Sequence, residues 1–335
     1  MASKYAAAHV NPQGPGDARP TAMQIIQDEG LEGKLNGKTF LITGCSSGIG
    51  VETARAIAAT GATVYCTVRD MEKGKTALVD ILEPGRVELF YMDLNSLSSV
   101  RAGAEEFLAI TADKPINVLI CNAGVMAIPA PGTKTADGFE TQFGTNHLAH
   151  FLLFNLLKPS LLASSSKEFD SRVVMVSSSV HKFSGVRVDD YNFQKGDYDP
   201  WLAYGQSKTA MIYTANFIDR HFGSEGIHAN SLHPGGIWTP LQRHVADEQM
   251  ESWKSVPQIS ATIKSTGQGA ATTVWAVVAK EWEGKGGKYL VNVQISPPAE
   301  EGDLISDSGY ATWVYDEKKQ DQLWADSLKM VMCFL

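Results

Sequence analysis

The feature that most constrains the fold of this chain is a repeated alternation of short apolar runs with helical patterns between residues 38 and 293. The apolar runs span residues 38–43, 62–68, 86–92, 116–122, 172–178, 227–233 and 288–293, and helical patterns lie between them near 70–82, 96–111, 137–163, 203–222 and 267–281. Strands that are apolar on both faces need cover on both faces, which is typical of parallel sheets. We therefore expect an α/β fold with a doubly wound, seven-stranded parallel sheet and helices on both faces.

The pattern also divides the chain into segments. Residues 1–36 form an N-terminal extension whose first 20 residues are rich in Gly, Pro and Ala, so we expect it to be partly disordered. Residues 37–295 form the domain, and 296–335 form an extension that we expect to pack on it. Insertions at 180–202 and 236–266 follow the ends of strands, where open α/β sheets bind their ligands.

Composition excludes several classes of function. The 335 residues carry a formal net charge of −8 without a cluster of Lys and Arg, so we expect no nucleic-acid partner. No apolar run is long enough for a membrane span, and the four cysteines lack CxxC spacing, so we expect neither a membrane span nor a metal site. The first residues lack the apolar core of an export signal. These observations predict a cytoplasmic protein that acts on a small molecule.

A glycine-rich turn, TGCSSGIG over residues 43–50, joins the first predicted strand to the first helix. Glycines let the backbone approach a pyrophosphate, whose charge lies against the free N–H groups of the helix N-terminus. In this context the turn is typical of a dinucleotide site on a Rossmann-type sheet. The residues expected to contact the dinucleotide here are Gly44, Ser46, Ser47, Gly48, Ile49 and Gly50.

The end of the second strand distinguishes NAD from NADP. A carboxylate there would bind the 2′-hydroxyl of NAD, and an arginine would bind the 2′-phosphate of NADP. Val68 stands where the acid is expected and Arg69 follows it, which favours NADP(H). Two alternatives stay open: Arg69 is a solvated surface charge, or Asp70 takes the part of the acid. Asp93 also has two interpretations, a contact to the adenine amino group or an N-cap of the next helix.

Tyr204 and Lys208 have the i, i+4 spacing that places two side chains on one face of a helix. A free tyrosine titrates at about pH 10, and a neighbouring ammonium lowers this pKa enough for the hydroxyl to act as a general acid or base. The alternative is a packing tyrosine beside an exposed lysine. Three serines, 177–179, close the preceding strand, where one hydroxyl would hold a substrate oxygen beside Tyr204.

These motifs occur in the order typical of one family. They are TGxxxGIG at 43–50, Asn122-Ala123-Gly124, Asn146, Ser178, Tyr204 with Lys208, Pro234-Gly235, and Thr239. Over 37–295 the chain resembles the short-chain dehydrogenase/reductase family. The resemblance implies an oxidoreductase that transfers a hydride between NADP(H) and a carbonyl or alcohol.

The resemblance also implies roles for single residues. Tyr204 would be the general acid/base, and Lys208 would bind the nicotinamide ribose and tune Tyr204. Ser178 would orient the substrate oxygen, and Asn146 would support a water-borne proton relay. Arg69 matches the NADP-using branch. Further cofactor contacts are implied for Asp93, Leu94, Asn122, Ala123, Gly124, Pro234, Gly235, Ile237 and Thr239.

Within the family, four segments are most similar to the retinol dehydrogenase and WW-domain oxidoreductase-like branch. They are TNHLAHFLL (145–153), VSSSVH (176–181), HPGGIWT (233–239) and LWADSLKMV (323–331). The aromatic, apolar insertions predict a lipophilic substrate such as a polyketide, terpenoid, steroid or retinoid-like molecule. We expect Trp238 and Trp253 to line its pocket, with packing onto the core as the alternative. His181 is a further candidate for the pocket, with an ordinary structural histidine as the alternative.

Assembly and reaction class have open alternatives. The resemblance suggests a homodimer or homotetramer through the helices at 137–163 and 203–222, unless the C-terminal extension covers one of these faces. Two other functions remain: a non-redox isomerase or cyclase that uses a bound nucleotide as scaffold, and a nucleotide-sensing binding protein.

Overall fold

The computed structural model describes residues 3–112, 114–129, 132–304 and 306–335. Its strands are β1 (Thr39–Thr43), β2 (Thr63–Val68), β3 (Val87–Tyr91), β4 (Val118–Cys121), β5 (Ser171–Val176), β6 (Ile227–His233), β7 (Tyr289–Val291) and β8 (Gln294–Ile295). They form one sheet in the order β3-β2-β1-β4-β5-β6-β7-β8. Strands β1 to β7 pair in parallel, which confirms the predicted doubly wound sheet. The two-residue β8 pairs antiparallel with β7 and is too short to show an apolar run.

Helices cover both faces of this sheet. They are α1 (Ala22–Asp28), α2 (Ile49–Ala59), α3 (Met71–Leu78), α4 (Leu97–Ile110), α5 (Ala149–Ser164), α6 (Pro200–Phe222), α7 (Asp247–Ser255), α8 (Pro257–Thr262), α9 (Thr266–Val278) and α10 (Glu317–Val331). Helices α1, α2 and α9 pack on one face, and α4, α5 and α6 pack on the other. The helix predicted from residue 137 starts later, with a π-helical turn at Phe143–Leu148 that runs into α5.

The core has two layers because the strands are buried on both sides. In β1, Phe40 and Ile42 belong to the cluster under α1, α2 and α9, whereas Leu41 belongs to the cluster under α4, α5 and α6. This is the period-two alternation of a strand with two apolar faces. The rigid sheet thus fixes the ends of β1 to β6, from which the loops of the site emerge.

The N-terminal extension differs from the expected partial disorder over the residues that the structure describes. Tyr5 and Arg19 are buried. The Arg19 guanidinium donates to the carbonyl oxygens of Thr262 and Ile263, both at 2.6 Å, and to that of Gly14 at 3.0 Å. Composition did not reveal this order, because the anchors are two single side chains: Arg19 binds backbone carbonyls at the end of α8, and Gln268 of α9 binds the backbone carbonyls of Asp17 and Arg19. The extension thereby fastens the 236–266 insertion.

The C-terminal extension packs on the domain through α10. The ring of Trp324 stacks on Phe217 of α6 with centroids 4.0 Å apart and meets Phe151 of α5 edge-on at 4.7 Å. Arg220 pairs with Asp321 at 2.6 Å. Helix α10 therefore covers an apolar face of α5 and α6. No helix in the described parts of the chain is both long and apolar enough to cross a membrane.

Candidate active site

A cavity of about 810 Å³ lies at the C-terminal ends of the parallel strands. Strand order reverses between β1 and β4, and such a reversal opens a crevice in doubly wound sheets. The cavity is within the size range of ligand sites. Every residue predicted to contact the dinucleotide lines it: Gly44, Ser46, Ser47, Gly48, Ile49, Gly50, Arg69, Asp93, Leu94, Asn122, Ala123, Gly124, Tyr204, Lys208, Pro234, Gly235, Ile237 and Thr239.

The glycine-rich turn has the backbone geometry of a phosphate cradle. Gly44 has φ of +79°, and a Cβ there would lie 2.8 Å from the Cα of Ala123, so only glycine fits. Gly48 precedes α2 without a side-chain cap, which leaves the first N–H groups of this 11-residue helix open towards the cavity. This arrangement suits a pyrophosphate.

Asn122 braces the turn from β4. Its Nδ2 donates to the carbonyl of Thr43 at 2.8 Å. Its Oδ1 is buried without a hydrogen-bond partner among the described residues, although Asn122 lines the cavity. A buried acceptor of this kind calls for a donor from a ligand. A ribose hydroxyl would supply one, so the chain's own groups fit a dinucleotide.

The loop after β2 shows which of Arg69 and Asp70 could contact the 2′-position of the adenine ribose. Arg69 lines the cavity, whereas Asp70 does not. Asp70 instead caps α3, accepting from the backbone N–H of Lys73 at 3.1 Å. Arg243, which sequence analysis missed, lines the same cavity, and its pKa is lowered by burial and by the positive charge of Arg69. Two cations therefore face one part of the cavity.

In the loop after β3, one polar residue caps the next helix and another faces the cavity. Ser96 caps α4 by accepting from the N–H of Ser99. Asp93 lines the cavity and accepts from the N–H of Asn95 at 3.0 Å. The helix therefore does not need Asp93 as its N-cap, and this carboxylate is available to a ligand.

Helix α6 carries Tyr204 and Lys208 into the cavity. Asp199 caps its start, accepting from the N–H groups of Trp201 and Leu202 at 2.8 Å. Tyr204 and Lys208 are only 4% and 3% exposed, so the lysine is not the exposed residue of the alternative interpretation. The Lys208 Nζ lies 5.5 Å from the Tyr204 ring centre.

The electrostatics of the pair differ from the expected lowering of the Tyr204 pKa. Burial raises the pKa of Tyr204 above its ordinary value, and hydrogen bonding with Ser178 opposes this. Burial lowers the pKa of Lys208 to about 7. The Lys208 Nζ donates to the carbonyl of Val176 at 2.8 Å. Both groups are in low-dielectric surroundings, which disfavour the phenolate and the ammonium alike.

All three serines line the cavity, and Ser178 is the one whose side chain hydrogen-bonds with Tyr204. Its Oγ also accepts from the N–H of Val180 at 3.2 Å, which caps the short turn that follows. The Ser177 hydroxyl is instead occupied, donating to the carbonyl of Lys208 at 2.9 Å. The position of Ser178 therefore agrees with the one expected to orient a substrate oxygen.

Asn146 does not line the cavity. It lies in the π-helical turn, where its Oδ1 accepts from the N–H of Val125 at 2.8 Å and its Nδ2 donates to the carbonyl of Val125 and to Ser207, both at 2.9 Å. Val125 does line the cavity. Asn146 thus fixes the backbone of a wall residue.

The prediction that His181 lines the pocket is wrong. The side chain is buried, and His181 is not among the lining residues. Its Nδ1 donates to the carbonyl of Ser178 at 2.7 Å, and its Nε2 accepts from the N–H of Ala311 at 3.1 Å. The ring points away from the cavity and ties down the C-terminal extension.

The far end of the cavity is apolar and aromatic. Trp238 and Trp253 line it. Trp201 was missed; its ring lies edge-on to Tyr204 at 6.4 Å and to Trp253 at 5.8 Å. Other lining residues that were missed are Phe183, Leu241, Ile259, Ile263, Leu304 and Asp307.

Comparison with known proteins identifies the family. The family model for short chain dehydrogenases matches residues 38–250. The chain belongs to the short-chain dehydrogenase family. "Short-chain dehydrogenase/reductase prx1" of Penicillium roqueforti is 50% identical, with 98% of this chain and 95% of the relative covered.

Two further comparisons concern a relative within this family and a solved structure of similar fold. Human "Retinol dehydrogenase 13" is 35% identical and covers 89% of this chain and 85% of its own, which confirms the resemblance to that branch. A solved structure of an uncharacterised protein from Mycobacterium paratuberculosis is 32% identical, with a TM-score of 0.66 over 89% of this chain and 94% of that one. The chain is therefore an oxidoreductase of this family.

Proposed function

We propose that the protein is an NADP(H)-dependent reductase and dehydrogenase that interconverts a carbonyl and an alcohol on a lipophilic small molecule. One observation carries the proposal: a single cavity joins the glycine-rich turn and Arg69 at one end to Ser178, Tyr204 and Lys208 at the other. A dinucleotide whose phosphates lie on the turn would extend towards the tyrosine.

Side chains of the protein can supply the proton that the carbonyl oxygen receives during reduction. When bound, the nicotinamide supplies or accepts a hydride at its C4 atom. The hydroxyls of Ser178 and Tyr204 hold the carbonyl oxygen, and the Tyr204 hydroxyl donates its proton to that oxygen as the alcohol forms. The raised pKa keeps Tyr204 protonated at neutral pH, which is the form required for reduction. Lys208 binds the ribose beside it.

Two cations support the preference for NADP(H). Arg69 and Arg243 line the cavity, and neither forms an ion pair with a carboxylate among the residues that the structure describes. Their mutual repulsion is relieved when an anion binds between them. The 2′-phosphate is such an anion, and arginine matches its geometry.

The substrate end supports a lipophilic compound. Trp201, Trp238 and Trp253 supply aromatic surface around Tyr204. A mostly apolar lining binds apolar surface and excludes water from the reacting carbonyl. The intact Ser178, Tyr204 and Lys208 set favours redox chemistry over isomerisation or nucleotide sensing.

The test is a fluorescence titration of the purified protein with NADPH and NADH, followed by assay of a panel of apolar ketones. Arg69→Ala should weaken NADPH binding about tenfold to hundredfold and leave NADH binding within threefold. Arg101→Ala, on the exposed face of α4, is the matched control. Equal affinities of wild type for both cofactors would contradict the role of Arg69, and NADPH binding without reduction of any ketone would favour the non-redox alternatives.

A further inference from the structure

The C-terminal extension contributes a carboxylate to the substrate end of the cavity. Asp307 lines the cavity together with Leu304 and with His233, the last residue of β6. Among the described residues of the lining, Asp93 and Asp307 are the carboxylates. Asp93 follows β3, at the end assigned to adenine. Asp307 is therefore a charged acceptor at the substrate end of the cavity, beside His233.

The segment around Asp307 is held in place from both sides. Lys182, in the turn that follows Ser178 and Ser179, donates to the carbonyls of Ser306 at 2.8 Å and of Ser308 at 3.2 Å, which flank Asp307. Ala311 is bound to the ring of His181, as described above. Two residues of one turn thus fix the segment that carries Asp307 against the catalytic strand end.

The partner of Asp307 is a histidine with a defined tautomer. The N–H of Ser179 donates to Nδ1 of His233 at 3.1 Å, so the ring proton resides on Nε2, which donates to Oδ1 of Asp307 at 3.1 Å. In the parts of the chain that the structure describes, Oδ2 of Asp307 makes no hydrogen bond. The side chain of His233 is 6% exposed and that of Asp307 is 29% exposed, so one carboxylate oxygen is open to the cavity.

The surroundings keep this group ionised. Burial opposes ionisation of Asp307, but the hydrogen bond from His233 and the positive charges of Lys264 and Lys182 outweigh it and hold the pKa below its ordinary value. An ionised carboxylate accepts hydrogen bonds and donates none. A ligand beside it must therefore bring a donor. The nearby lysines would repel a positively charged ligand group, which favours a neutral donor over an ammonium.

From this geometry we propose that Asp307 recognises a hydroxyl group of the substrate at a distance from the reacting carbonyl. The substrate class is then a lipophilic ketone, or the corresponding alcohol, that carries an additional hydroxyl. This inference rests on the proposed function. A ligand without the hydroxyl would bury the Asp307 carboxylate without a partner, and sites built for a hydroxyl discriminate strongly against such analogues.

The test compares 4-cyclohexylcyclohexanone with its derivatives that carry one hydroxyl at position 2′, 3′ or 4′ of the distal ring. Wild type should reduce at least one hydroxylated ketone with kcat/KM about tenfold or more above the parent. In Asp307→Asn and Asp307→Ala this preference should fall to threefold or less. Activity on the parent ketone should not fall in either variant, because the unpaired carboxylate that disfavours this ketone is gone, and the Kd for NADPH should change less than threefold. Glu301→Gln, at an exposed position near this segment and not in the lining, should keep the wild-type preference.

The outcomes separate the two proposals. Reduction of all ketones without preference by wild type, or an equal loss on parent and hydroxylated ketones in both Asp307 variants, would overturn the role of Asp307 and leave the proposed function intact. Failure of wild type to reduce any ketone despite NADPH binding would overturn the proposed function and this inference with it.

Discussion

Lys208 is a fully buried ammonium without a carboxylate partner among the described residues, and this has a consequence for stability. Its Nζ is held by the carbonyl of Val176 and the sulfur of Met211. Burial lowers its pKa to about 7, against about 10.4 in an unfolded chain. The unfavourable contribution of this lysine to folding is complete below pH 7. It declines as the pH rises towards about 10.4, because the unfolded chain then binds a proton that the folded chain lacks.

The first prediction concerns Lys208→Met. The free energy of unfolding of wild type, minus that of the variant, should rise between pH 7 and pH 10 by on the order of 3 kcal/mol. Urea denaturation at intervals of one pH unit measures it. Lys318→Met, at an exposed position of α10, should show no such trend. A difference for Lys208→Met that does not change with pH would contradict the burial of a charged group here.

Single residues show where sequence reasoning worked and where it did not. Arg69 lines the cavity directly after β2, whereas its neighbour Asp70 caps α3, a difference that strand-end position alone does not reveal. His181 was misplaced because its nearness in sequence to Ser178 says nothing about ring direction, which a long-range bond to Ala311 determines. Asp307 is 74 residues away from its partner His233 along the chain. No motif around Asp307 indicates this contact, so the sequence did not predict that Asp307 lies at the site.

At the scale of elements, the π-helical turn before α5 positions the wall of the site. The wide turn places Asn146 so that its side chain pairs with both backbone groups of Val125. Such turns occur frequently at functional sites. Without Asn146 the N–H and carbonyl of Val125 would lose their partners, and the wall beside Lys208 would lose its support.

The second prediction is that Asn146→Ala lowers the free energy of unfolding by about 1 to 3 kcal/mol, because buried polar groups are left unpaired. It should also lower kcat, since Val125 lines the cavity. Asn155→Ala is the matched control: this asparagine bonds within α5, to the carbonyl of Phe151, and is half-buried. Equal effects of the two substitutions in urea denaturation and in kcat would contradict the special role of Asn146.

The regular elements were predictable because their apolar patterns are local. All seven parallel strands lie within a few residues of the predicted ranges, whereas the helix predicted from residue 137 starts later and α7 and α8, in the 236–266 insertion, were not predicted. The π-helical turn was not predictable, since one inserted residue hardly changes a helical apolar pattern. The order of the N-terminal extension was missed for another reason. Arg19 is held by backbone carbonyls, which every sequence provides.

At the scale of the whole molecule, α10 affects whether two copies of the chain can associate through α5 and α6. The resemblance to the family suggested association through the helices now identified as α5 and α6. Trp324 and Leu323 of α10 cover part of this surface by packing in the same apolar cluster as Phe151 and Phe154. The C-terminal extension therefore covers part of the surface through which the resemblance suggested association.

The third prediction is that the full chain is a monomer and that a variant ending at residue 315 associates, because removal of α10 exposes the α5–α6 face. Light scattering coupled to size-exclusion chromatography measures both. Asp321→Ala, which removes surface pairs with Arg220 and His221 but leaves α10 in place, should remain monomeric. A wild-type dimer that persists after truncation would contradict this and indicate an interface elsewhere.

The central claim is that Tyr204 supplies the proton to a carbonyl that is reduced by NADPH. The most direct measurement is a single-turnover experiment that follows NADPH fluorescence after rapid mixing with the best ketone of the panel, for wild type and Tyr204→Phe. The account predicts a rate about 10³-fold lower in the variant, within the usual range for loss of a general acid, with the Kd for NADPH unchanged. A rate for Tyr204→Phe within tenfold of wild type would contradict it, because the proton would then come from another group.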